Sequence, residues 1–165
     1  MPADRPGRVA ELVRALALRP HPEGGHYGEV YRSASVVRPA DRPVERCALT
    51  TIYFLLAAGE RSRWHRVLSD EAWHFYEGEP LELVWAPSFD QPPERRVLGV
   101  GGGERQRVAV VPGGAWQAAR PLGAYALVGC TVGPGFDFAD FTLLTDHPPL
   151  ADALRRSAPE LAALL

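Results

Sequence analysis

Residues 59–78 read GERSRWHRVLSDEAWHFYEG, and this stretch decides the fold class of the chain. A glycine stands at each end of it, and His65 and Glu71 lie between the glycines. The two residues flank a short predicted turn, so their side chains can converge on one point. A histidine and a carboxylate that meet in this way form the first candidate site.

The residues that follow the turn have the pattern of a β-strand. In a strand, successive side chains point to opposite faces, so Glu71 shares a face with Trp73 and Phe75 while His74 points the other way. We therefore expect the two aromatic rings to line the same cavity as Glu71, and His74 to pack on the opposite side of the sheet.

Short β-type runs continue on both sides of this stretch, separated by glycine, proline and aspartate. The pattern predicts strands at 26–33, 48–56, 72–76, 81–85, 95–100, 106–111, 116–120, 125–132 and 141–144. Loops are expected at 36–45 and 86–94. Many short strands at this spacing are typical of a closed or double-sheet antiparallel barrel, an architecture that deals with exposed strand edges.

The two ends of the chain have a different pattern. Apolar residues at helical spacing predict short helices over 8–18 and 149–165. The barrel core then spans about 20–145, and the 165 residues form one domain, which is long enough to bury a substantial core.

The spacing around His65 fits a known family pattern. Five residues separate Gly59 from His65, one separates His65 from Val67, three more precede Glu71, and Gly78 follows after another six. This spacing resembles the first motif of the cupins, with Val67 in the place of a second histidine.

A second cupin motif resembles the segment that contains Pro112, Gly114 and Gln117, with Gln117 in the place of a histidine. Further runs resemble the subfamily called Cupin-5, a former domain of unknown function, and they lie at 20–25, 64–67, 69–75, 112–117 and 129–138. The resemblance covers roughly 18–144. It implies an all-β RmlC-like jelly roll with short flanking helices and a homodimer. It does not define the reaction, because fold alone does not fix function.

In a typical cupin, four residues of the two motifs bind a metal ion. This chain keeps two of the four, His65 and Glu71, and Gln117 adds an amide. Three N and O ligands can hold a divalent ion if water completes the shell. The alternative is a metal-free acid/base pair in which Glu71 orients His65 and raises the basicity of its free nitrogen. Both interpretations stay open at this stage.

The metal-free alternative resembles the sugar-nucleotide epimerases of the cupin superfamily, which use a histidine at the position of His65, an aspartate partner and a tyrosine acid. By residue type, the candidates for the two further roles are Tyr53 and Asp140, with Tyr76, Tyr125 and Asp137 as alternatives.

Candidate substrate contacts surround these residues. Arginines bracket His65, and a guanidinium can clamp a carboxylate or a phosphate. The run 21–25 contains two glycines that permit a tight turn over a pocket mouth. The predicted substrate-binding residues are Glu23, Arg46, Arg63, Trp73, Phe75 and Gln117.

Composition excludes several classes of function. The net charge is -2, which disfavours nucleic acid and anionic membranes as partners. The chain has no lysine, so it cannot form a Schiff base with a substrate or with pyridoxal phosphate. Neither Cys47 nor Cys130 belongs to a CxxC pair, and no apolar run is long enough to span a bilayer. We expect a cytoplasmic protein with reduced thiols.

Three hypotheses follow. The first is an isomerase-like or epimerase-like enzyme that transfers protons on a sugar-like or anionic small molecule. The second is a divalent-metal-dependent cupin, such as an oxygenase, decarboxylase or isomerase, that uses His65, Glu71 and Gln117. The third is a non-catalytic cupin that binds a small ligand, which the departures at Val67 and Gln117 favour.

Overall fold

The computed structural model describes residues 5–165, with side chains from residue 7 onward. Its strands are β1 (Arg19–Pro20), β2 (His26–Arg32), β3 (Val36–Val37), β4 (Arg46–Cys47), β5 (Thr50–Ala57), β6 (Ser62–Val67), β7 (Asp70–Gly78), β8 (Leu81–Ala86), β9 (Glu94–Leu98), β10 (Arg105–Gln106), β11 (Val108–Val111), β12 (Trp116–Pro121), β13 (Tyr125–Gly133) and β14 (Phe141–Leu143). The helices are α1 (Arg5–Ala15) and α2 (Pro148–Ser157), with 3-10 helices at Phe138–Asp140, Leu144–Asp146 and Pro159–Leu164.

Two six-stranded sheets enclose a shared apolar core. The strand order is β1-β2-β5-β13-β7-β11 in the first sheet and β10-β9-β8-β12-β6-β14 in the second. Neighbouring strands come from distant parts of the chain, and the strand pairs of the described residues are antiparallel except β9–β10. This arrangement is the jelly-roll barrel, or double-stranded β-helix, that the sequence predicts.

Side-chain alternation divides each sheet into an inner and an outer face. On β8, Leu81 and Leu83 pack into the barrel interior, whereas Val84 packs against the C-terminal helices outside. On β7, Trp73 and Phe75 point into the barrel interior, as predicted from the alternation. The interior is therefore filled by large apolar side chains, except at one end of the barrel, where a cavity opens.

The helices cover the outer faces of the two sheets. Leu12 of α1 packs against Leu55 of β5 in the first sheet. Behind the second sheet, Leu161 is fully buried, and its carbonyl oxygen accepts a hydrogen bond from the Trp64 indole nitrogen at 3.0 Å. Within residues 5–165, no helix combines the length and apolar character needed to cross a membrane.

The helix bounds differ from those predicted. The helix predicted over 8–18 ends at Ala15, because Ala17 adopts a left-handed conformation with φ of 50°. The helix predicted over 149–165 is split into α2 and the 3-10 helix Pro159–Leu164. Pro159 explains the break, since proline lacks the N–H that a continuing helix needs.

Each of the nine predicted strand runs overlaps an observed strand, but β6 and the two-residue strands β1, β3 and β4 were not predicted. The longest of these is β6. This strand, SRWHRV, has little apolar alternation because its inner face carries the polar His65. The predicted loop 36–45 is held at both ends, where β3 and β4 pair with each other. In the predicted loop 86–94, Phe89 is buried against Trp64 at 5.4 Å between ring centroids.

Replacing Leu161 with alanine tests whether the segment after Pro159 is an integral part of the domain. Leu161→Ala should lower the free energy of unfolding by about 2–5 kcal/mol, because it leaves a cavity beneath Trp64. Urea denaturation followed by tryptophan fluorescence measures the loss. Leu122→Ala is the control, since Leu122 is 52% exposed and its truncation should change stability by about 0.5 kcal/mol at most. Equal effects of the two substitutions would contradict the packing described here.

Candidate functional site

A cavity of about 350 Å³ opens within the barrel. Strands of both sheets and the segment that follows β13 contribute its walls. The lining residues are Arg19, His21, Glu23, Tyr27, Glu29, Arg32, Thr50, Ile52, Phe54, His65, Val67, Glu71, Cys130, Val132, Phe136, Asp137 and Phe138. A volume of this size suits a small organic molecule.

The side chains of His65 and Glu23 face each other in the cavity. His65 is 1% exposed, and its Nδ1 lies 2.7 Å from the carbonyl oxygen of Arg63. A carbonyl only accepts, so Nδ1 carries the ring proton and Nε2 is the acceptor. Nε2 lies 3.2 Å from Oε2 of Glu23. This contact is a hydrogen bond when the Glu23 carboxyl group is protonated and donates to His65.

A tight turn at residues 21–25 places Glu23 in this position. Gly24 has φ of 115°, and a Cβ atom on it would come within 2.0 Å of the carbonyl oxygen of Arg61. The turn is fastened to β6, because the Arg63 N–H donates to the Glu23 carbonyl oxygen at 2.8 Å. The Ser62 hydroxyl donates to Oε1 of Glu23 at 2.7 Å. Both carboxyl oxygens of Glu23 therefore have partners.

His21 lies beside this pair and is uncharged at neutral pH. Its Nδ1 accepts a hydrogen bond from the backbone N–H of Glu23 at 3.1 Å. Aromatic rings surround the imidazole, with Tyr27 at 4.6 Å and Phe54 at 5.9 Å between centroids. Burial, reinforced by repulsion from His65, lowers the pKa of His21 to about 3.

Glu71 is held by a different chain of hydrogen bonds. The Trp73 indole N–H donates to Oε1 of Gln117 at 2.9 Å, and Nε2 of Gln117 donates to Oε2 of Glu71 at 2.6 Å. An indole N–H can only donate, so it fixes which end of the Gln117 amide faces Glu71. Gln117 therefore presents hydrogen-bond donors, not its oxygen, to the carboxylate.

Burial favours the uncharged forms of Glu23, Glu71 and His65, and it shifts their pKa values accordingly. It raises the pKa of Glu23 to about 8 and the pKa of Glu71 to about 7, and it lowers the pKa of His65. The hydrogen bond from Ser62 partly offsets the effect on Glu23, and His65 and Gln117 partly offset the effect on Glu71. Near neutral pH burial thus favours the protonated form of both carboxyl groups.

The predicted metal ligands do not fit a metal ion in this arrangement. The oxygen of Gln117 is bound to Trp73, Val67 offers no donor atom, and Nε2 of His65 faces Glu23. In the part of the chain that the structure describes, no group of three or more His, Cys, Asp or Glu side chains is placed to hold an ion. The ligand set His65, Glu71 and Gln117 is therefore not assembled.

Two predicted pocket walls lie behind the cavity. Trp73 and Phe75 share the inner face of β7 with Glu71, but both pack into the barrel core and neither lines the cavity. The cavity ends at the level of Glu71, because the large side chains fill the barrel beyond it. Gln117 is also behind the wall, where it supports Glu71.

Three further predicted site residues lie outside the cavity. Tyr53 alternates with the cavity residues Ile52 and Phe54 on β5, so it points outward and packs against Tyr76 at 5.9 Å between centroids. Asp140 binds the Arg46 guanidinium through two hydrogen bonds of 2.8 Å. This ion pair joins β4 to the segment before β14 and lowers the pKa of Asp140. It occupies both side chains in a structural contact.

Arg63 also differs from its predicted role. Its guanidinium donates to the Pro22 carbonyl oxygen at 2.6 Å and lies along a separate surface depression. The alternative acids Tyr76 and Tyr125 do not line the cavity either. Asp137, an alternative carboxylate, does line it.

Several cavity residues were not predicted from the sequence. They are Arg19, Arg32, Cys130, Phe136 and Phe138. His21 also lines the cavity, and it belongs to the run 21–25 that is predicted to form a turn over a pocket mouth. Phe136 and Phe138 come from the segment after β13, whose position depends on long-range packing.

The pH dependence of stability should reveal the buried carboxyl groups. An unfolded glutamate ionises near pH 4.5, whereas Glu71 and Glu23 keep their protons until about pH 7 and pH 8. The folded state therefore binds more protons than the unfolded state in this range, and stability falls as pH rises. His21 acts oppositely: its stabilising contribution, complete above about pH 6.5, is lost as pH falls towards about 3.

Glu71→Gln and Glu23→Gln should each lose less stability than the wild type between about pH 5 and pH 8. Thermal denaturation across this range measures the difference. Glu45→Gln, which alters an exposed ion pair with Arg38, is the control and should follow the wild-type curve. Parallel curves for all the proteins would show that the two carboxyl groups are not protonated in the folded state.

Comparisons with known proteins agree with this architecture. The family described as "Cupin superfamily (DUF985)" matches residues 10–144. A hypothetical protein from Leishmania major has a similar structure, with a TM-score of 0.79, 33% identity, and coverage of 94% of this chain and 95% of that chain. A protein from Shewanella oneidensis is similar at a TM-score of 0.78 and 32% identity, covering 93% of this chain and 92% of that one.

A more distant likeness concerns the fold alone. Oxalate decarboxylase from Bacillus subtilis matches at a TM-score of 0.57 and 15% identity, covering 88% of this chain and 36% of that chain. No curated protein matches the sequence. The family match spans nearly the whole barrel, in agreement with the jelly-roll topology, and the chain belongs to the Cupin-5 (DUF985) family of the cupin superfamily.

Proposed function

We propose that the cavity is the active site of an isomerase-like enzyme that moves a proton on a small carbonyl compound without a metal ion. The observation that carries the proposal is the presence of two buried carboxyl groups, Glu23 and Glu71, beside His65 in one cavity. Oε2 of Glu23 lies 3.2 Å from Nε2 of His65, and burial raises the pKa of both carboxyl groups towards neutral pH. Groups whose pKa values are pushed apart by their surroundings are the usual acid and base of such reactions.

Glu71 is the base in this proposal. A carboxyl group with a pKa of about 7 is a much stronger base than an exposed glutamate, and a substantial fraction of it is ionised at neutral pH. Gln117 holds one of its oxygens in place and stabilises the carboxylate by donating a hydrogen bond. Glu71 is thus held in a fixed orientation, and its pKa is close to the neutral pH at which it must accept a proton.

The Glu23–His65 pair is the acid. Glu23 keeps its proton up to about pH 8, and the Arg63 carbonyl oxygen fixes the tautomer of His65. The stacked Phe141 ring, 5.5 Å from His65 between centroids, keeps the imidazole from rotating. A carbonyl oxygen of the substrate would receive its proton from this pair. This role of His65 as part of an acid pair with Glu23 differs from the predicted role, in which Glu71 orients His65.

The proposed step is balanced by these groups alone. Glu71 removes a proton from a carbon next to the carbonyl group, and the C–H electron pair forms the carbon–carbon double bond of an enol. The carbonyl oxygen takes the proton of the Glu23–His65 pair. Glu71 then returns its proton to the enol carbon, or to the far carbon if the substrate carries a further double bond. The enol O–H gives its proton back to the Glu23–His65 pair as the carbonyl group forms again, and no oxidant or reductant is required. The surrounding rings exclude water and so strengthen the electrostatic contacts.

Hydrogen exchange on simple carbonyl compounds tests this function, since exchange requires only the proton-transfer step. In D₂O, the purified chain should catalyse exchange of the carbon-bound protons next to the carbonyl of 4-acetylbenzoate, levulinate or dihydroxyacetone phosphate, followed by proton NMR. The enzymatic rate should rise as Glu71 ionises near pH 7 and fall as Glu23 ionises near pH 8. Glu71→Gln should reduce the rate by about 10²–10⁴-fold. Glu23→Gln, which lacks the acidic proton, should also lower the rate and should remove the fall at high pH.

The matched control for these variants is Glu45→Gln, which should exchange protons at the wild-type rate. Undiminished exchange in Glu71→Gln would contradict the assignment of the base. Binding of these compounds without any exchange would favour the third hypothesis, a non-catalytic cupin that binds a small ligand.

A further inference from the structure

Part of the cavity wall is apolar. Six of its lining side chains are hydrocarbon or aromatic, namely Ile52, Phe54, Val67, Val132, Phe136 and Phe138. None of these residue types can donate or accept a hydrogen bond through its side chain. A substrate atom that reaches these side chains is therefore stabilised by contact with hydrocarbon and aromatic surface.

Two contacts lie beside these apolar side chains. The Thr50 hydroxyl oxygen accepts a hydrogen bond from the Phe136 backbone N–H at 3.0 Å. The face of the Tyr27 ring is covered by the Arg19 guanidinium, whose central carbon lies 5.1 Å from the ring centroid. A hydroxyl group that is buried against the six apolar side chains has no partner among them, and each such group would reduce affinity by about tenfold.

Arg19 gives the mouth of the cavity an available positive charge. Its side chain is exposed and lines the cavity, and within the described residues it makes no ion pair. The other arginine of the mouth, Arg32, is held by Glu29 at 2.9 Å and by the Phe136 carbonyl oxygen. Asp137 accepts a hydrogen bond from the Ala139 backbone N–H in its own turn. Arg19 is thus the group that an anion at the mouth would meet.

We propose that the cavity takes a keto acid in which an apolar body separates the ketone from the anionic group, and that it binds such an acid more tightly than a sugar phosphate. The anion, a carboxylate or a phosphate, binds Arg19 at the mouth. The body packs against the apolar walls, and the ketone reaches Glu71 and the Glu23–His65 pair at the floor. This inference rests on the proposed function, because that function places the carbonyl group at the floor.

Isothermal titration calorimetry on the full chain tests the substrate class with matched compounds. The probe is 4-acetylbenzoate, which has a ketone and a carboxylate on opposite sides of a ring. We expect it to bind at least tenfold more tightly than 4-methylacetophenone, which lacks the charge, and glucose 6-phosphate, which lacks the apolar body. A further arm with 4-acetylphenyl phosphate determines whether a phosphate replaces the carboxylate at Arg19.

Arg19→Gln should reduce the affinity for 4-acetylbenzoate to that for 4-methylacetophenone and leave the binding of the neutral ketone unchanged. Arg38→Gln, which removes an exposed arginine paired with Glu45, should change neither affinity. Equal or tighter binding of glucose 6-phosphate, or no binding of either aromatic acid, would overturn the inference.

This result is separable from that of the proposed function. Tight binding of 4-acetylbenzoate without hydrogen exchange would support the ligand class and contradict the proton transfer. Exchange on dihydroxyacetone phosphate without binding of the aromatic acids would contradict the ligand class and support the proton transfer.

Discussion

Two carboxyl groups are buried in a cavity of the barrel, and the surrounding structure provides the partners that make this burial tolerable. Glu23 is 7% exposed, accepts a hydrogen bond from Ser62 and lies 3.2 Å from Nε2 of His65, while Glu71 is also 7% exposed and accepts from Gln117. An unpaired buried charge would be costly, so the groups shift their pKa values and share protons instead. The glycine turn before β2 positions Glu23, and the Trp73 indole positions the Gln117 amide that donates to Glu71.

The departures from the usual cupin motifs have a consistent physical meaning in this setting. Gln117 stands where a histidine would bind a metal ion, yet here it joins the Trp73 indole to the Glu71 carboxylate. Val67 contributes apolar wall instead of a ligand. Glu23, which comes from the turn between β1 and β2, faces Nε2 of His65 at 3.2 Å. We propose that the reactive groups of this site transfer protons without a metal ion.

Much of the architecture could be predicted from the sequence, because short alternating runs and glycine-rich turns reflect local backbone preferences. Strand β6 could not, since its inner face carries His65 in place of an apolar residue. The convergence of His65 and Glu71 on one cavity followed from their spacing. The prediction for Tyr53 failed because the face of β5 that points inward depends on its register with β13. The Arg46–Asp140 pair joins residues far apart in sequence, and no local pattern indicates that contact.

The proposed chemistry depends most on a proton held between Glu23 and His65. A neutron crystal structure of the deuterated protein at about pH 7 would locate it directly. We expect one deuteron between Oε2 of Glu23 and Nε2 of His65, and a second on Nδ1 of His65 pointing to the Arg63 carbonyl oxygen. Two bare carboxylates at Glu23 and Glu71, or a deuteron on Nε2 of His65 with none on Nδ1, would contradict it.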